Sequence, residues 1–116
     1  MKLLSTFKGY KPGGHELNMN IFWDYDTDRL VPKDHPVLTV ERIIAYGDLE
    51  DWFAGFDMFG VEGFARIAKE EVVEMDNRNL VFVCRAFGFN KEDTKCFKHK
   101  QSRQRFLNSQ YSSDQE

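Results

Sequence analysis

The sequence predicts an all-α fold, a compact bundle of four or five short helices, and three observations lead to it. Apolar residues between positions 37 and 87 recur at steps of three and four, which is the spacing of one helix face. Glycines and aspartates that can end or begin a helix separate these segments. Hydrophobic residues make up 41% of the 116 residues, so a single domain of this size has enough core without a disulfide or a metal.

The first predicted helix follows Pro36 and ends at Gly47. Thr39 is expected to cap its start, and Glu41 lies in the first turn, where the helix dipole favours an acid. Gly47 is expected to end it in the left-handed conformation that glycine adopts easily. The apolar face of this helix consists of Val37, Val40, Ile43 and Ile44.

The second and third helices are separated by Gly60. Asp48 is the expected cap of the second, whose first turn is acidic. Its apolar face is Leu49, Trp52, Phe53, Phe56 and Phe59, and that of the third helix is Val61, Phe64, Ala65, Ala68 and Val72. This spacing is the clearest amphipathic pattern in the chain.

The segment "DNRNLVFVCRAFGF" fits two structures. Asp76 can cap a helix whose core face is Leu80, Val83, Cys84 and Phe87. The run "LVFVC" is also rich in residues that favour a buried strand. Because the preceding elements are helical and no partner strand is evident, we favour the helix.

We divide the chain into an N-terminal arm at 1–19, a helical domain at 20–100, and a flexible polar and basic tail at 101–116. The arm contains the breaker cluster "KPGG" and is expected to be loosely anchored. Three aromatic residues are expected to pack into the helical domain as structural anchors: Phe22, Trp23 and Trp52.

Acids at alternate positions follow the first two anchors: Asp24, Asp26 and Asp28. A calcium loop that began at Asp24 would need glycine at its sixth position and glutamate at its twelfth, where this chain has Arg29 and His35. We therefore expect these acids to meet helix N-termini or surface bases and not to bind a metal.

Cysteine and histidine give little support for a metal site or for catalysis. Cys96 and His99 have a plausible local zinc spacing, but the fourth ligand is undefined, and Cys84 lies on the predicted core face. We expect Cys84 in the core, Cys96 as a free thiol, and neither metal nor cofactor. The sequence contains no glycine-rich phosphate loop and no nucleophile elbow, so we expect no catalytic residues and no enzyme.

The sequence contains no apolar run of about 20 residues and no signal-peptide core, so a cytoplasmic protein without a membrane span is expected. Charge is sorted along the chain. Residues 31–76 contain 11 acidic and 4 basic residues, whereas residues 77–116 contain 8 basic and 4 acidic ones. This asymmetry indicates a basic arm beside an acidic body, or two segments that attract each other within the fold.

Nucleic-acid binding has two candidate locations. The second and third helices have the spacing of a helix-turn-helix, but the third carries Glu62, Glu70 and Glu71 beside its two bases, so a plain helical hairpin is favoured. The C-terminal stretch "KEDTKCFKHKQSRQRF" suits a phosphate backbone or an acidic protein groove better, unless it is only a solubilising end. Its candidate binding residues are Lys95, Lys98, Lys100, Arg103 and Arg105.

Two sets of motifs resemble a small bacterial family of unknown function. The first set consists of the sequence Phe-Trp-Asp, a "D-x-D" motif, a helix that contains Glu-Arg, and the sequence "LEDW". The matching residues are Phe22, Trp23, Asp24, Asp26, Glu41, Arg42, Gly47, Leu49, Glu50, Asp51, Trp52, Phe59 and Gly60. The second is a "K-E-x-F/T-x-C-Y/F" stretch, matched by Lys91, Glu92, Thr94, Cys96 and Phe97.

Members of that family are often encoded beside nucleotidyltransferase-type toxins of the abortive-infection class. The resemblance therefore implies an antitoxin-like role, in which the protein binds a toxin partner. Together with the lack of catalytic motifs and the charge asymmetry, it leads us to expect a non-enzymatic protein, with DNA as a further partner through the basic segment. It also supports a helix over a strand for residues 77–88. The alternative is a nucleic-acid-binding regulator that acts alone through the same basic segment. The sequence leaves a homo-oligomer open.

Overall fold

The computed structural model describes residues 3–103, and every regular element in that range is helical, which confirms the all-α prediction. Five α-helices follow in chain order: α1 Pro36–Tyr46, α2 Leu49–Phe59, α3 Val61–Glu70, α4 Asn77–Phe87, and α5 at 95–103. Short 3-10 turns lie at Ser5–Phe7, Met19–Phe22, Pro32–Asp34 and Lys91–Asp93. None of the described helices is long and apolar enough to cross a membrane.

Helix α1 begins earlier than predicted. It starts at Pro36, whose missing N–H would have had no helical partner at that position. Thr39 lies inside the helix, where its hydroxyl donates to the Pro32 carbonyl at 2.7 Å, so the prediction that Thr39 caps the start is wrong.

Gly47 ends α1 as predicted, but for a different reason. Its backbone is extended, at φ −80° and ψ 153°, and not left-handed. A Cβ at this position would lie 2.7 Å from the Ile43 carbonyl oxygen and 3.0 Å from the Asp51 Cβ. Lack of space therefore explains the glycine.

The predicted start of α2 at Asp48 and its predicted end at Gly60 are confirmed. The Asp48 carboxylate accepts the Asp51 N–H and the Asp51 carboxylate accepts the Asp48 N–H, so the two residues form a capping box. Gly60 then turns the chain with φ 75°, a value that favours glycine. Gly55 lets α2 approach its neighbours, because a Cβ there would lie 2.6 Å from the Phe64 ring.

The ambiguous fourth segment is the helix α4. Asp76 accepts the Asn79 N–H at 2.8 Å at its start, and Gly88 ends it in the left-handed conformation. Leu80 and Val83 are buried, so the helical spacing of the apolar residues outweighs the β-propensity of "LVFVC".

An aromatic core joins the helices to the N-terminal segment. Phe7 is buried and stacks on Trp52 with ring centroids 5.0 Å apart. The Leu4 N–H donates to the Ala86 carbonyl at 2.8 Å, which fixes the chain against α4. The prediction of a loosely anchored arm is therefore wrong for this segment, because one of its side chains is part of the core. We call the following residues the aromatic core: Phe7, Trp52, Phe56, Phe64 and Phe87.

Two of the three predicted anchors are buried. Phe22 and Trp52 lie in the core, but Trp23 is 70% exposed, so its assignment as a packed anchor is wrong. The cause is the 3-10 turn Met19–Phe22, in which successive side chains point about 120° apart. When Ile21 and Phe22 face the core, the next side chain faces away.

Both cysteines are free thiols, which confirms the prediction for Cys96, whereas Cys84, predicted in the core, packs against the core without being fully buried. Cys96 is fully buried at the start of α5, where its thiol lies 3.5 Å from the Met75 carbonyl oxygen. Cys84 is only partly buried, and burial raises the pKa of its thiol. Helix α5 packs on the rest of the fold through Cys96. Because Cys96 and Met75 are far apart in the sequence, local sequence patterns do not reveal this contact.

Candidate functional site

The residues at the start of α5 fix the basic C-terminal segment to the rest of the fold. Thr94 is buried; its hydroxyl accepts the Phe97 N–H at 3.2 Å and donates to the Lys91 carbonyl at 2.7 Å. Together with the buried Cys96, this cap fixes α5 up to the last described residues.

Lysines from two segments that are distant in the sequence line one cavity beside α5. Lys95 and Lys98 of α5 and Lys69 of α3 line one surface cavity of about 600 Å³, together with Glu70 and Asp93. No ion pair within residues 3–103 involves these three lysines. We call Lys69, Lys95 and Lys98 the basic surface.

The remaining predicted binding residues lie elsewhere. Lys100 donates to the Asn77 side-chain carbonyl at 3.0 Å, at the start of α4. Arg103 is exposed at the last described position, and Arg105 lies outside the described residues. Of the four predicted residues that the structure describes, Lys95 and Lys98 line the same cavity.

A second surface was not predicted from the sequence. Three exposed aromatic rings surround the guanidinium of Arg42, with ring centroids 5.8 Å (Trp23), 5.4 Å (Tyr25) and 5.9 Å (Tyr46) from its central carbon. Tyr25 is 46% exposed and Tyr46 is 59% exposed. We call Trp23, Tyr25, Arg42 and Tyr46 the aromatic–arginine surface.

Arg42 is held rigidly at the centre of that surface. Its two terminal nitrogens each lie 2.7 Å from a carboxylate oxygen of Asp24, and Nη1 also donates to the Ile21 carbonyl at 3.1 Å. The hydrogen bond from Arg42 lowers the pKa of Asp24. The structure thus confirms a surface base as the partner of Asp24.

The second acid of the early run, Asp26, acts locally. The Asp26 carboxylate accepts the Asp28 N–H at 3.2 Å and lies 3.6 Å from Arg29 Nε. Asp26 therefore stabilises its own turn and does not cap one of the helices. Within residues 3–103, no three His, Cys, Asp or Glu side chains are placed to hold a metal ion together.

An acidic cavity of about 420 Å³ adjoins the aromatic–arginine surface. Three carboxylates, from Glu41, Glu74 and Asp76, line it beside Arg42 and Tyr46. Burial raises the pKa of Glu41, and the nearby Glu74 raises it further, although Arg42 acts in the opposite direction. We call the space lined by Glu41, Glu74 and Asp76 the acidic cavity.

Asp57 anchors the N-terminal segment on α2. Its carboxylate accepts the Tyr10 hydroxyl at 2.6 Å, the Gly13 N–H at 2.8 Å and the His15 N–H at 3.1 Å. Burial acts to raise the pKa of Asp57, but these hydrogen bonds together lower it. Burial and the contact with Asp57 raise the pKa of Tyr10 to about 12.

His15 is the second anchor. Its Nδ1 lies 2.7 Å from Glu50 Oε1 and its Nε2 lies 2.9 Å from the Lys11 carbonyl oxygen. Because both ring nitrogens face acceptors, the protonated ring satisfies both, and the hydrogen bond with Glu50 is the main cause of its raised pKa. Asp51 also accepts the Asn18 N–H at 2.8 Å, so the acidic first turn of α2 holds this part of the chain.

Sequence reasoning missed the aromatic–arginine surface because its members come from different elements. Trp23 and Tyr25 precede α1, whereas Arg42 and Tyr46 lie on α1 itself. One signal was present: Arg42 and Tyr46 are four positions apart, which places them on one helix face.

One family model matches part of the chain. The model of a family described as a family of unknown function (DUF6922) matches residues 17–68. This range contains all four residues of the aromatic–arginine surface, whereas Lys69, Lys95 and Lys98 lie beyond it. No curated protein and no solved structure matches the chain.

Proposed function

We propose that this protein is a non-enzymatic, antitoxin-like protein that docks on a toxin partner through the aromatic–arginine surface. The observation that carries the proposal is the grouping of three exposed aromatic rings around one arginine. Scattered exposed apolar residues are ordinary, but a cluster of them is typical of an interaction site. Tryptophan, tyrosine and arginine are also the residues most enriched among those that dominate binding energy.

The way Arg42 is fixed adds support. Two contacts to Asp24 and one to the Ile21 carbonyl hold its guanidinium before any partner arrives. Side chains that are already ordered lose less conformational entropy on binding. Tryptophan and tyrosine have few rotatable bonds, so the rings around Arg42 add contact area at a small entropic cost.

The non-enzymatic part of the proposal rests on what the polar side chains do. Asp57, Glu50 and Asp51 accept hydrogen bonds from the N-terminal segment, and Asp48 and Asp76 cap helices. Each of these carboxylates thus has a structural task, which suits a scaffold that presents a binding surface.

The class of partner follows from the resemblance to a bacterial family encoded beside nucleotidyltransferase-type toxins. The test is co-expression with the product of the neighbouring gene, followed by size-exclusion chromatography. We expect one co-eluting peak for the natural chain, and two peaks for the double variant Trp23→Ala/Tyr46→Ala. Val81→Ala is the control, because Val81 is an exposed apolar residue of α4 outside the surface. Separate elution with the natural chain would reject the proposal.

A second candidate function is nucleic-acid binding through the basic surface. The observation in its favour is that Lys69 joins Lys95 and Lys98 although they are far apart in the sequence. Loss of two phosphate contacts in Lys95→Ala/Lys98→Ala should reduce the slope of log affinity against log salt by about 2 for duplex DNA. Lys100→Ala is the control, because Lys100 contacts Asn77 instead. Anisotropy that shows no salt-dependent binding would reject this candidate.

A further inference from the structure

The acidic cavity contains negative charge that its lining base does not neutralise. Arg42 is the one base that lines it, and Asp24 already neutralises Arg42 through two contacts of 2.7 Å. Among the ion pairs within residues 3–103, none involves Glu41, Glu74 or Asp76. Because Asp76 caps α4, the carboxylates of Glu41 and Glu74 remain available on one side of the aromatic–arginine surface.

Glu41 is the carboxylate with the most to gain from a cation. It is partly buried, and burial raises its pKa because the charged form is poorly solvated there. A positive group in the cavity would offset that loss of solvation and the repulsion from Glu74. Burial already disfavours the charged form, and glutamine has a similar shape without the charge, so Glu41→Gln should leave the fold intact.

The rim of the cavity is aromatic. Tyr46 lines the cavity and is also one of the three rings around Arg42, so the two features form one continuous surface. Aromatic faces attract ammonium and guanidinium groups, and guanidinium groups stack on them. Carboxylates beside exposed rings therefore match a cationic side chain.

The same charges disfavour the other ligand class that stacks on aromatic rings. Single-stranded nucleic acid uses such rings together with a positively charged groove that follows its phosphates. Here Arg42, the one base among the lining residues, is already paired with Asp24, and Glu41 and Glu74 line the same space. Phosphates would be repelled.

We propose that the aromatic–arginine surface binds a basic segment of a protein partner, and that a lysine or arginine side chain of that segment occupies the acidic cavity beside Tyr46. This inference rests on the proposed function, because it names the chemistry of the partner at the same surface. The rings supply apolar contact area, and Glu41 and Glu74 pair with the incoming cation.

The first test uses a synthetic nine-residue peptide of alternating glycine and arginine as the probe. The full chain contains two tryptophans, and only Trp23 is exposed, so its indole N–H signal in NMR reports on the surface. We expect the peptide to shift the Trp23 signal and leave the Trp52 signal in place. The Trp23 signal is assigned by its loss in Trp23→Phe.

Charge-neutralising variants make the test specific. Glu41→Gln/Glu74→Gln should weaken peptide binding by roughly fivefold or more, because truncating close charge pairs at an interface has effects of this size. Glu62→Gln/Glu70→Gln is the matched control: it changes the net charge equally, on exposed positions of α3, and should leave the affinity within about twofold.

Three results would overturn the inference: no shift of Trp23 with the arginine peptide, equal weakening in the two double variants, or tighter binding of a ten-nucleotide oligothymidylate than of the peptide. Failure of the proposed function looks different. If the peptide binds as expected but the neighbouring gene product does not co-elute, the partner is wrong and the surface chemistry stands. If the complex forms and does not respond to Glu41→Gln/Glu74→Gln, the inference fails alone.

Discussion

The two tryptophans of this chain occupy opposite environments. Trp52 is 5% exposed and packs against other aromatic rings, including Phe7 at 5.0 Å and Phe64 at 5.1 Å. Trp23 is 70% exposed, and its polar neighbour is the guanidinium of Arg42. The aromatic core and the aromatic–arginine surface thus use the same kind of residue for different purposes.

This difference separates the rings that stabilise the fold from the rings that are available for binding. Rings in the core contribute by leaving water on folding, which has already happened in the free protein. Rings on the surface retain exposed area that only a partner can bury. Substitutions in the first group should change the free energy of unfolding, and substitutions in the second should change affinity.

The largest expected effect is at Trp52. Trp52→Ala should lower the free energy of unfolding by about 3–5 kcal/mol, because it removes a large buried ring and leaves a cavity. Denaturation in urea, followed by circular dichroism, measures the change. Phe82→Ala is a useful comparison, because Phe82 contacts Trp52 but is itself exposed, so its loss should be smaller. Equal losses in the two variants would contradict the distinction between core and surface.

The second-largest change in stability is expected where helices pack closely at Gly55. Gly55→Ala should destabilise the protein by about 1–3 kcal/mol, because the new Cβ would lie 2.6 Å from the Phe64 ring and 3.0 Å from Ile43 Cδ1. Gly63→Ala is the matched control on α3, where the nearest neighbour, Phe59 Cβ, is 3.7 Å away. That change should be neutral or stabilising by up to about 1 kcal/mol, since alanine favours helices. Thermal unfolding of both variants decides the sign.

A smaller effect, with a defined dependence on pH, is expected at His15. The pKa of His15 is raised above 6.5 in the folded protein by Glu50 and by the Lys11 carbonyl. Its contribution to stability is therefore complete below 6.5 and is lost as the pH rises through the raised pKa. Melting temperatures between about pH 6 and pH 9 should fall more for the natural chain than for His15→Gln. Parallel curves would show that the anchor does not depend on protonation.

The smallest expected change in stability is at Trp23. Trp23→Ala should alter the free energy of unfolding by less than about 0.5 kcal/mol, because the ring is mostly in water in the free protein. Urea denaturation of this variant beside Trp52→Ala gives the sharpest contrast within one chain. A loss similar to that of Trp52→Ala would mean that Trp23 supports the fold after all.

Local patterns in the sequence predicted most of the fold. Caps at Asp48 and Asp76 and the stop at Gly60 were predicted because each depends on a few neighbouring residues. The exposure of Trp23 and the burial of Cys96 were not predicted, because they depend on how a 3-10 turn and α5 pack on the rest of the fold. Such contacts join residues that are distant in the chain, and periodicity carries no information about them.

The candidate surfaces show the same limit. Lys95 and Lys98 were found because they are close in the sequence, but their cavity also needs Lys69 from α3. The pairing of Arg42 with Asp24 spans 18 positions, and neither residue has a local pattern that indicates the other. Charge composition predicted an acidic body, and only the fold showed where those acids adjoin exposed rings.

The most direct test of the central claim is the affinity of Trp23→Ala for the purified product of the neighbouring gene, measured by isothermal titration calorimetry beside the natural chain. If the aromatic–arginine surface is the docking site, the dissociation constant should rise by about 30-fold or more, which corresponds to a residue that dominates an interface. An unchanged dissociation constant in a correctly folded variant would contradict the claim.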